Sequence, residues 1–199
     1  MGKAEQNKQK KRDALLNAAF SLFTTKGLQD TSISEIAEKA GVAKGTYYLY
    51  FKDKYDINNK LMINRASKLV DSAMEKMRRR NLPDFKDRFI CVIDDIIDSL
   101  AGNKVLLMFI SKNLGLGFYR QAIGSSEVKN DSQIHAAYRT LLDDVGESVK
   151  NPEIMLYMII ELTGSCIYSS ILHNQPVPIE ELKPYLFDTI SRIVDQFTK

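Results

Sequence analysis

The sequence has few of the side chains that metal centres and nucleophilic active sites use. Its 199 residues include only two cysteines, Cys91 and Cys166, and two histidines, His135 and His173. The cysteines are far apart among apolar neighbours, which is not metal-ligand spacing. They are expected to be buried, reduced thiols of a cytosolic protein. No metal and no cofactor are expected.

Catalytic constellations are also lacking. No Ser/His/Asp or Cys/His combination has suggestive spacing. The paired carboxylates at 94–95, 143–144 and 180–181 are typical of exposed helix faces. The sequence therefore does not predict an enzyme, and a small-molecule enzyme is the least favoured of the alternatives.

Long hydrophobic segments are missing as well. The longest apolar runs, residues 105–110 and 154–160, are far shorter than the roughly 20 residues that span a bilayer. Residues 1–12 are polar and rich in lysine, unlike a signal peptide. The expected protein is soluble and cytoplasmic, with no membrane partner.

The net charge of +3 is too small to indicate a partner, but its distribution is uneven. Residues 1–55 contain ten Lys and Arg against six Asp and Glu, whereas the remainder has a slight acidic excess. A basic N-terminal region is what a phosphate-binding module requires.

Within this region, residues 32–54 carry the pattern of two short helices joined at Gly41. Ala37 and Ala40 are small enough for the helices to approach closely, and Gly41 suits a turn with positive φ. The second helix displays hydrogen-bond donors suited to phosphate oxygens or base edges. These donors are Lys44, Thr46, Tyr48, Tyr50 and Lys54.

A structural αα-hairpin is the alternative interpretation of this pattern, because any such hairpin needs a glycine turn. The second helix argues against it, since Gly45 costs about 1 kcal/mol relative to alanine and tyrosines are mediocre helix formers. A glycine at that place lets another molecule approach the backbone. The segment therefore predicts a DNA-binding helix-turn-helix.

The rest of the chain reads as further helices, without strand alternation or repeats. One helix ends at Gly27, and Ser32 with Glu35 forms a capping box for the next. The other predicted helices cover residues 54–80, 84–102, 104–112, 132–148 and 152–173. Turns are expected in residues 115–130. The main body of the last helix is expected to open at Pro184. The predicted fold is all-α with about nine helices. Its expected parts are a helix-turn-helix DNA-binding domain at 1–53 and an effector-binding and dimerisation domain at 54–199.

The N-terminal signature resembles that of the TetR family of bacterial transcriptional regulators. The resemblance rests on residues 31–33, 36–37, 40–46, 48, 50–51 and 52–54, and it covers about the first quarter of the chain. Residue 50 is often histidine in that family and is Tyr50 here, and Leu49 offers only an apolar contact, so sequence preference does not transfer.

The resemblance implies a set of DNA contacts. Lys44, Gly45 and Thr46 would meet bases or phosphates in the major groove, and Tyr48 and Tyr50 would contact phosphates on its walls. Thr31 or Ser32 would contact the backbone on the other side. Lys54 would bind a phosphate at a helix N-terminus.

The hypothesis for the whole protein is a ligand-responsive repressor. A homodimer would bind a palindromic double-stranded operator, and a small-molecule effector would release it by pivoting the DNA-binding heads. Residues suited to the effector site are Phe109, Phe118, Tyr119, Tyr138, Tyr157, Met158 and Glu161. The wide apolar stripes of the last two helices predict a dimer interface at Ile154, Tyr157, Glu161, Tyr168, Leu186, Ile190, Ile193 and Phe197.

Two alternatives stay open from the sequence. A ligand-independent DNA-binding or partner-binding protein on the same scaffold is the main rival to the regulator. The basic segment formed by Lys8, Lys10, Lys11 and Arg12 is either a flexible arm that reaches DNA or a disordered solubilising tail. The arginines at 78–80 are interpreted as a solvated helix end.

Overall fold

The computed structural model describes residues 2–111 and 149–198, and these residues contain eight α-helices. They are α1 (Lys3–Thr25), α2 (Ile33–Lys39), α3 (Lys44–Tyr48), α4 (Lys54–Arg80), α5 (Phe85–Ala101), α6 (Lys104–Ser111), α7 (Pro152–His173) and α8 (Ile179–Phe197). The predicted all-α fold is confirmed. The chain divides into two compact units, Met1–Ile63 and Asn64–Lys199. The roles expected for residues 1–53 and 54–199 stay predictions.

Local sequence signals set the helix ends of the first unit. Gly27 and Gly41 adopt the predicted positive φ angles, 89° and 68°. The capping box is confirmed, because the backbone N–H of Ser32 donates to Glu35 at 2.8 Å and the Ser32 hydroxyl accepts from the Glu35 N–H at 3.2 Å. The core of this unit is made of Leu15, Leu16, Ala19, Phe23, Ile36, Ala37, Tyr47, Phe51, Ile57 and Leu61.

The N-terminal segment differs from both sequence expectations. It is neither a flexible arm nor a disordered tail, because α1 begins at Lys3 and runs through the whole basic stretch. Alanine, glutamate, glutamine, lysine and arginine are all strong helix formers, so intrinsic propensity favours this extension although its residues are exposed.

In the second unit, α4 and α5 join through a buried apolar cluster that includes Ala73, Met74, Met77, Cys91 and Val92. The predicted bounds of α4 are confirmed, and so is the capping role of Asp84, whose carboxylate accepts from the N–H groups of Lys86 and Asp87. Buried Asp95 pairs with Lys76 and Arg80, both of α4. These charges fix the packing of the two helices.

Helix α7 packs against α6 and α8, and its predicted start, with Pro152 in the first turn, is confirmed. The prediction for α8 was wrong, because the helix begins at Ile179 and Pro184 lies inside it. The proline removes only the N–H that would reach the carbonyl of Glu180, near the N-terminus of the helix, and the apolar stripe beyond it is buried.

By length and composition alone, α7 is the one described helix that would be able to cross a membrane. Glu161 ends its apolar run of residues 154–160, and Thr163, Gly164 and Ser165 follow, which is why the run lengths did not indicate it. Core helices of soluble proteins pass the same test, and α7 packs against both α6 and α8. Its composition is therefore weak evidence for a membrane.

Several predictions fall outside the described residues. These are the turns at 115–130, the helix at 132–148, and the effector candidates Phe118, Tyr119 and Tyr138.

Candidate DNA-binding surface

A buried tyrosine fixes the position of α3. Tyr47 has no exposed surface, its ring contacts Phe51 at 5.6 Å between centroids, and its hydroxyl donates to the carbonyl of Asp53 at 2.8 Å. Burial raises the pKa of Tyr47, so the hydroxyl stays a neutral donor. One side chain thereby joins α3 to the segment that starts α4.

With Tyr47 facing inward, the other residues of α3 face outward. Lys44 and Gly45 are exposed, Thr46 is half-buried, and Tyr48 is 53% exposed. Leu49, just after the helix, is 80% exposed, which is unusual for a large apolar side chain. Tyr50 is half-buried beside Phe51. The structure thus presents the predicted donors of this segment together with one apolar contact.

Gly45 has no structural reason to be glycine in this chain. Its φ is not in the positive range, and a Cβ built on it meets nothing within 4 Å. Alanine would therefore fit, and it would favour the helix. The open space over Gly45 supports the view that another molecule approaches the backbone here.

Lys54 lies at the N-terminus of α4, where the Asp53 carboxylate caps the helix by accepting from the N–H groups of Tyr55 and Asp56, both at 2.8 Å. The Lys54 ammonium donates to the carbonyl of Gln29 at 2.8 Å. A lysine has three donors, so this bond leaves two for a phosphate. The bond also holds the ammonium at the loop between α1 and α2.

Thr31 and Ser32 take different positions from each other. Thr31 is 2% exposed and its hydroxyl donates to the Gly27 carbonyl at 2.7 Å, so the expected DNA contact of this side chain is wrong. Its role is to close the loop before α2. Ser32 is exposed, and its hydroxyl, which accepts from Glu35, still has a proton to donate.

The sequence reasoning missed the residues that position this surface. The Tyr47 hydroxyl and the Asp53 cap were not singled out, although an Asp two residues before an apolar-periodic segment is a cap signal. Lys60 was also missed; its ammonium lies 5.4 Å from the Phe51 ring centroid and 3.2 Å from Asp56. A residue that packs behind a surface without being part of it has no distinctive sequence pattern.

The residues predicted for the effector site and the dimer interface differ widely in the exposure of their side chains. Met158, Ile154 and Glu161 are exposed on α7, and Tyr157 and Tyr168 are half-buried, as are Ile193 and Phe197 of α8. Phe109, Leu186 and Ile190 are buried. Side chains covered by their own chain cannot contact a second protomer, so assigning Leu186 and Ile190 to the interface was wrong. Within the described residues, no group of three or more His, Cys, Asp or Glu has metal-site geometry.

Comparison with known proteins agrees with this geometry. The family model of bacterial regulatory proteins of the tetR family matches residues 15–60, which include α2, α3 and the start of α4. The fatty acid metabolism regulator protein of Bacillus subtilis is 27% identical over 168 residues, which are 83% of this chain and 82% of the relative. The HTH-type transcriptional regulator AcrR of Shigella flexneri is 41% identical over 73 residues, only 37% of this chain and 34% of the relative.

Solved structures share the fold over nearly the full length. A TetR family transcription regulator from Marinobacter aquaeolei VT8 has a TM-score of 0.64 at 17% identity, covering 98% of this chain and all of that one. The transcriptional regulator FadR from Bacillus subtilis, solved in complex with stearoyl-CoA, has a TM-score of 0.61 at 20% identity over 89% and 96% of the two chains. These structures share the all-α fold of the chain, and the family match covers its helix-turn-helix. Residues 15–60 thus match the tetR family of bacterial regulatory proteins, and the chain is similar to regulators of that family in sequence and in fold.

Proposed function

We propose that this regulator is a cytoplasmic repressor that binds a palindromic operator as a homodimer and is released by a small molecule. The observation that carries the proposal is the outward face of α3, where Lys44, open space over Gly45, and Tyr48 lie together. Donors around an uncrowded backbone suit a helix that enters a major groove.

The exposed residues of α3 and the residues that flank it each have a role in the proposed DNA interface. Lys44 donates to a base edge or phosphate, while Tyr48 and Tyr50 donate to phosphates on the groove walls. Leu49, 80% exposed, contacts a thymine methyl. Lys54 and Ser32 bind the DNA backbone on either side of the groove. In a dimer, two copies of α3 would enter half-sites about 34–36 Å apart.

A fatty acyl-CoA is the effector class to test first. The Bacillus subtilis relative matched over four fifths of its length is named a fatty acid metabolism regulator, and the FadR structure holds stearoyl-CoA. The described part of the second unit offers apolar side chains, among them Phe109, Tyr157 and Met158, that suit an acyl chain. Effector binding would favour a state in which the two recognition helices no longer match the half-sites.

The DNA proposal is tested with a duplex of about 30 base pairs, long enough for two half-sites, selected from a random pool by the wild-type full chain. Lys44→Ala is expected to weaken binding by at least about tenfold. Lys54→Ala should reduce the slope of log affinity against log salt by about 0.9 per protomer. Lys68→Ala, which removes an exposed charge of α4 in the second unit, is the matched control. Binding without salt dependence, or equal losses in all three variants, would refute the interface.

The effector and dimer are tested on the same complex. Stearoyl-CoA should release the duplex at concentrations at which free coenzyme A does not. Sedimentation across a range of protein concentrations should show a dimer that binds one duplex. Failure of every acyl-CoA tested, with DNA binding intact, would favour the ligand-independent regulator.

A further inference from the structure

The N-terminal part of α1 extends beyond the packed core of the first unit. Leu15 is the first buried residue of the helix, and residues 2–11 are all exposed. At 1.5 Å per residue, the helix between Lys3 and Leu15 is about 18 Å long. This extension carries Lys3, Lys8, Lys10, Lys11 and Arg12 against two acids, Glu5 and Asp13.

The charges of the extension are divided between two sides of the helix. Lys8 lies two helical turns before Leu15, and Arg12 lies two turns before Ala19, so both continue the face that is buried farther along. Lys3 and Lys10 lie on the opposite side. Because α1 packs on α2, Lys8 and Arg12 project on the side of the helix-turn-helix.

Five basic side chains against two acids leave this extension with a net charge of +3. The side-chain contact found in the extension is Gln9 with Asp13 at 3.0 Å, and none of the five basic side chains forms an ion pair there. Lys8 and Arg12, four residues apart, repel each other. A basic helix of this composition, which packs farther along on α2 of the helix-turn-helix, matches an external polyanion.

Resting on the proposed function, we infer that the Lys8 and Arg12 face of α1 is a second DNA-binding element, which docks on phosphates flanking the groove that α3 enters. A major groove is about 12 Å wide, so a helix that extends about 18 Å past the core reaches beyond its edge. The extension thus adds affinity that depends on flanking duplex and little on base sequence.

The test compares two double variants of the full chain that remove the same charge from opposite sides of one exposed helix. Lys8→Gln with Arg12→Gln should weaken binding to the selected duplex on the order of tenfold and reduce the salt slope by about 1.8 per protomer. Lys3→Gln with Lys10→Gln should have a much smaller effect. Trimming the duplex to the half-sites should remove the difference between the pairs.

Each result has a separate meaning. Equal losses from the two pairs, or losses that do not depend on flanking duplex, would overturn the inference, because the charges would then act diffusely. Lys44→Ala distinguishes this outcome from failure of the proposed function. If Lys44→Ala binds as wild type does, α3 is not the recognition element; if it alone weakens binding, the extension is not an interface. Circular dichroism of each variant checks that α1 is retained.

Discussion

Helices α3 and α7 both expose side chains that stability does not explain, but of opposite kinds. In α3 only Tyr47 is buried. Hydrogen-bond donors surround Gly45, which neither the backbone conformation nor the packing requires to be glycine. In α7, Met155 is completely buried whereas Ile154 and Met158 are apolar and more than 40% exposed. A surface of donors suits phosphates and base edges, and an apolar surface suits a protein or lipid-like ligand. The two exposed surfaces therefore suit partners of different chemistry.

The largest expected effect tests whether the two sides of α7 differ. Met155→Ala should lower the free energy of unfolding by about 2–5 kcal/mol, because it opens a cavity in the core. Met158→Ala, 41% exposed on the same helix, should change protomer stability by no more than about 0.5 kcal/mol. Urea unfolding at low protein concentration measures both.

If Met158 lies at an interface between protomers, its variant should instead weaken self-association, seen as a lower melting temperature at high protein concentration and a weaker dependence of the melting temperature on that concentration. Equal destabilisation by the two substitutions would show that the outer side of α7 is covered by its own chain.

The second prediction concerns the glycine of α3. Gly45→Ala should raise the free energy of unfolding by about 0.5–1 kcal/mol, because alanine favours the helix and meets no neighbouring atom. The same substitution should weaken DNA binding, because the methyl group lies where the duplex approaches. Thermal unfolding and duplex affinity are measured on one preparation. Gly102→Ala, at the end of α5, is the control for an effect of added side chain on DNA binding. A gain of stability without loss of affinity would remove Gly45 from the interface.

Local signals explain most of what was predictable from the sequence. The end of α4 and the start of α5 follow from Pro83 and Asp84, and the turn of the helix-turn-helix follows from Gly41. Such signals act over a few residues and need no knowledge of the fold. The TetR signature lies in the same local segment.

The wrong predictions concern residues whose environment is set by tertiary packing or by a partner, neither of which a local sequence pattern shows. Pro184 was expected to open the main body of the last helix, but burial of Leu186 and Ile190 on the same helix outweighs the lost hydrogen bond, and the helix begins at Ile179. A wide apolar stripe does not say which part of it faces the protomer's own core, so Ile190 was assigned to the interface. Thr31 carries a hydroxyl that suits a phosphate, and only the loop geometry shows that it is already bonded.

The third prediction concerns Lys183 of the second unit and the response of its stability to base. Burial, which by itself lowers the pKa of Lys183, is outweighed by the hydrogen bonds that its ammonium donates to Asp94 and Asp98, so the pKa is raised. A raised pKa contributes stability at pH values below the unfolded value, and that stability is lost as the pH rises through the folded value. Alkaline destabilisation should therefore be steeper in the wild type than in Lys183→Gln. Lys104→Gln, an exposed lysine of the same unit, should follow the wild type.

The smallest effect is expected at the platform of α3, in acid. The hydrogen bond from Lys26, with further bonds from the backbone and hydroxyl of Ser32, lowers the pKa of Glu35 from 4.5 to about 2. A depressed pKa contributes stability above the unfolded value, and this contribution is lost as the pH falls from about 4.5 through about 2. The melting temperature of the wild type should fall more steeply over that window than that of Glu35→Gln. Glu38→Gln, an exposed glutamate of the same helix, should keep the wild-type slope, and an identical slope in Glu35→Gln would show that the capping box does not depend on the charge of Glu35.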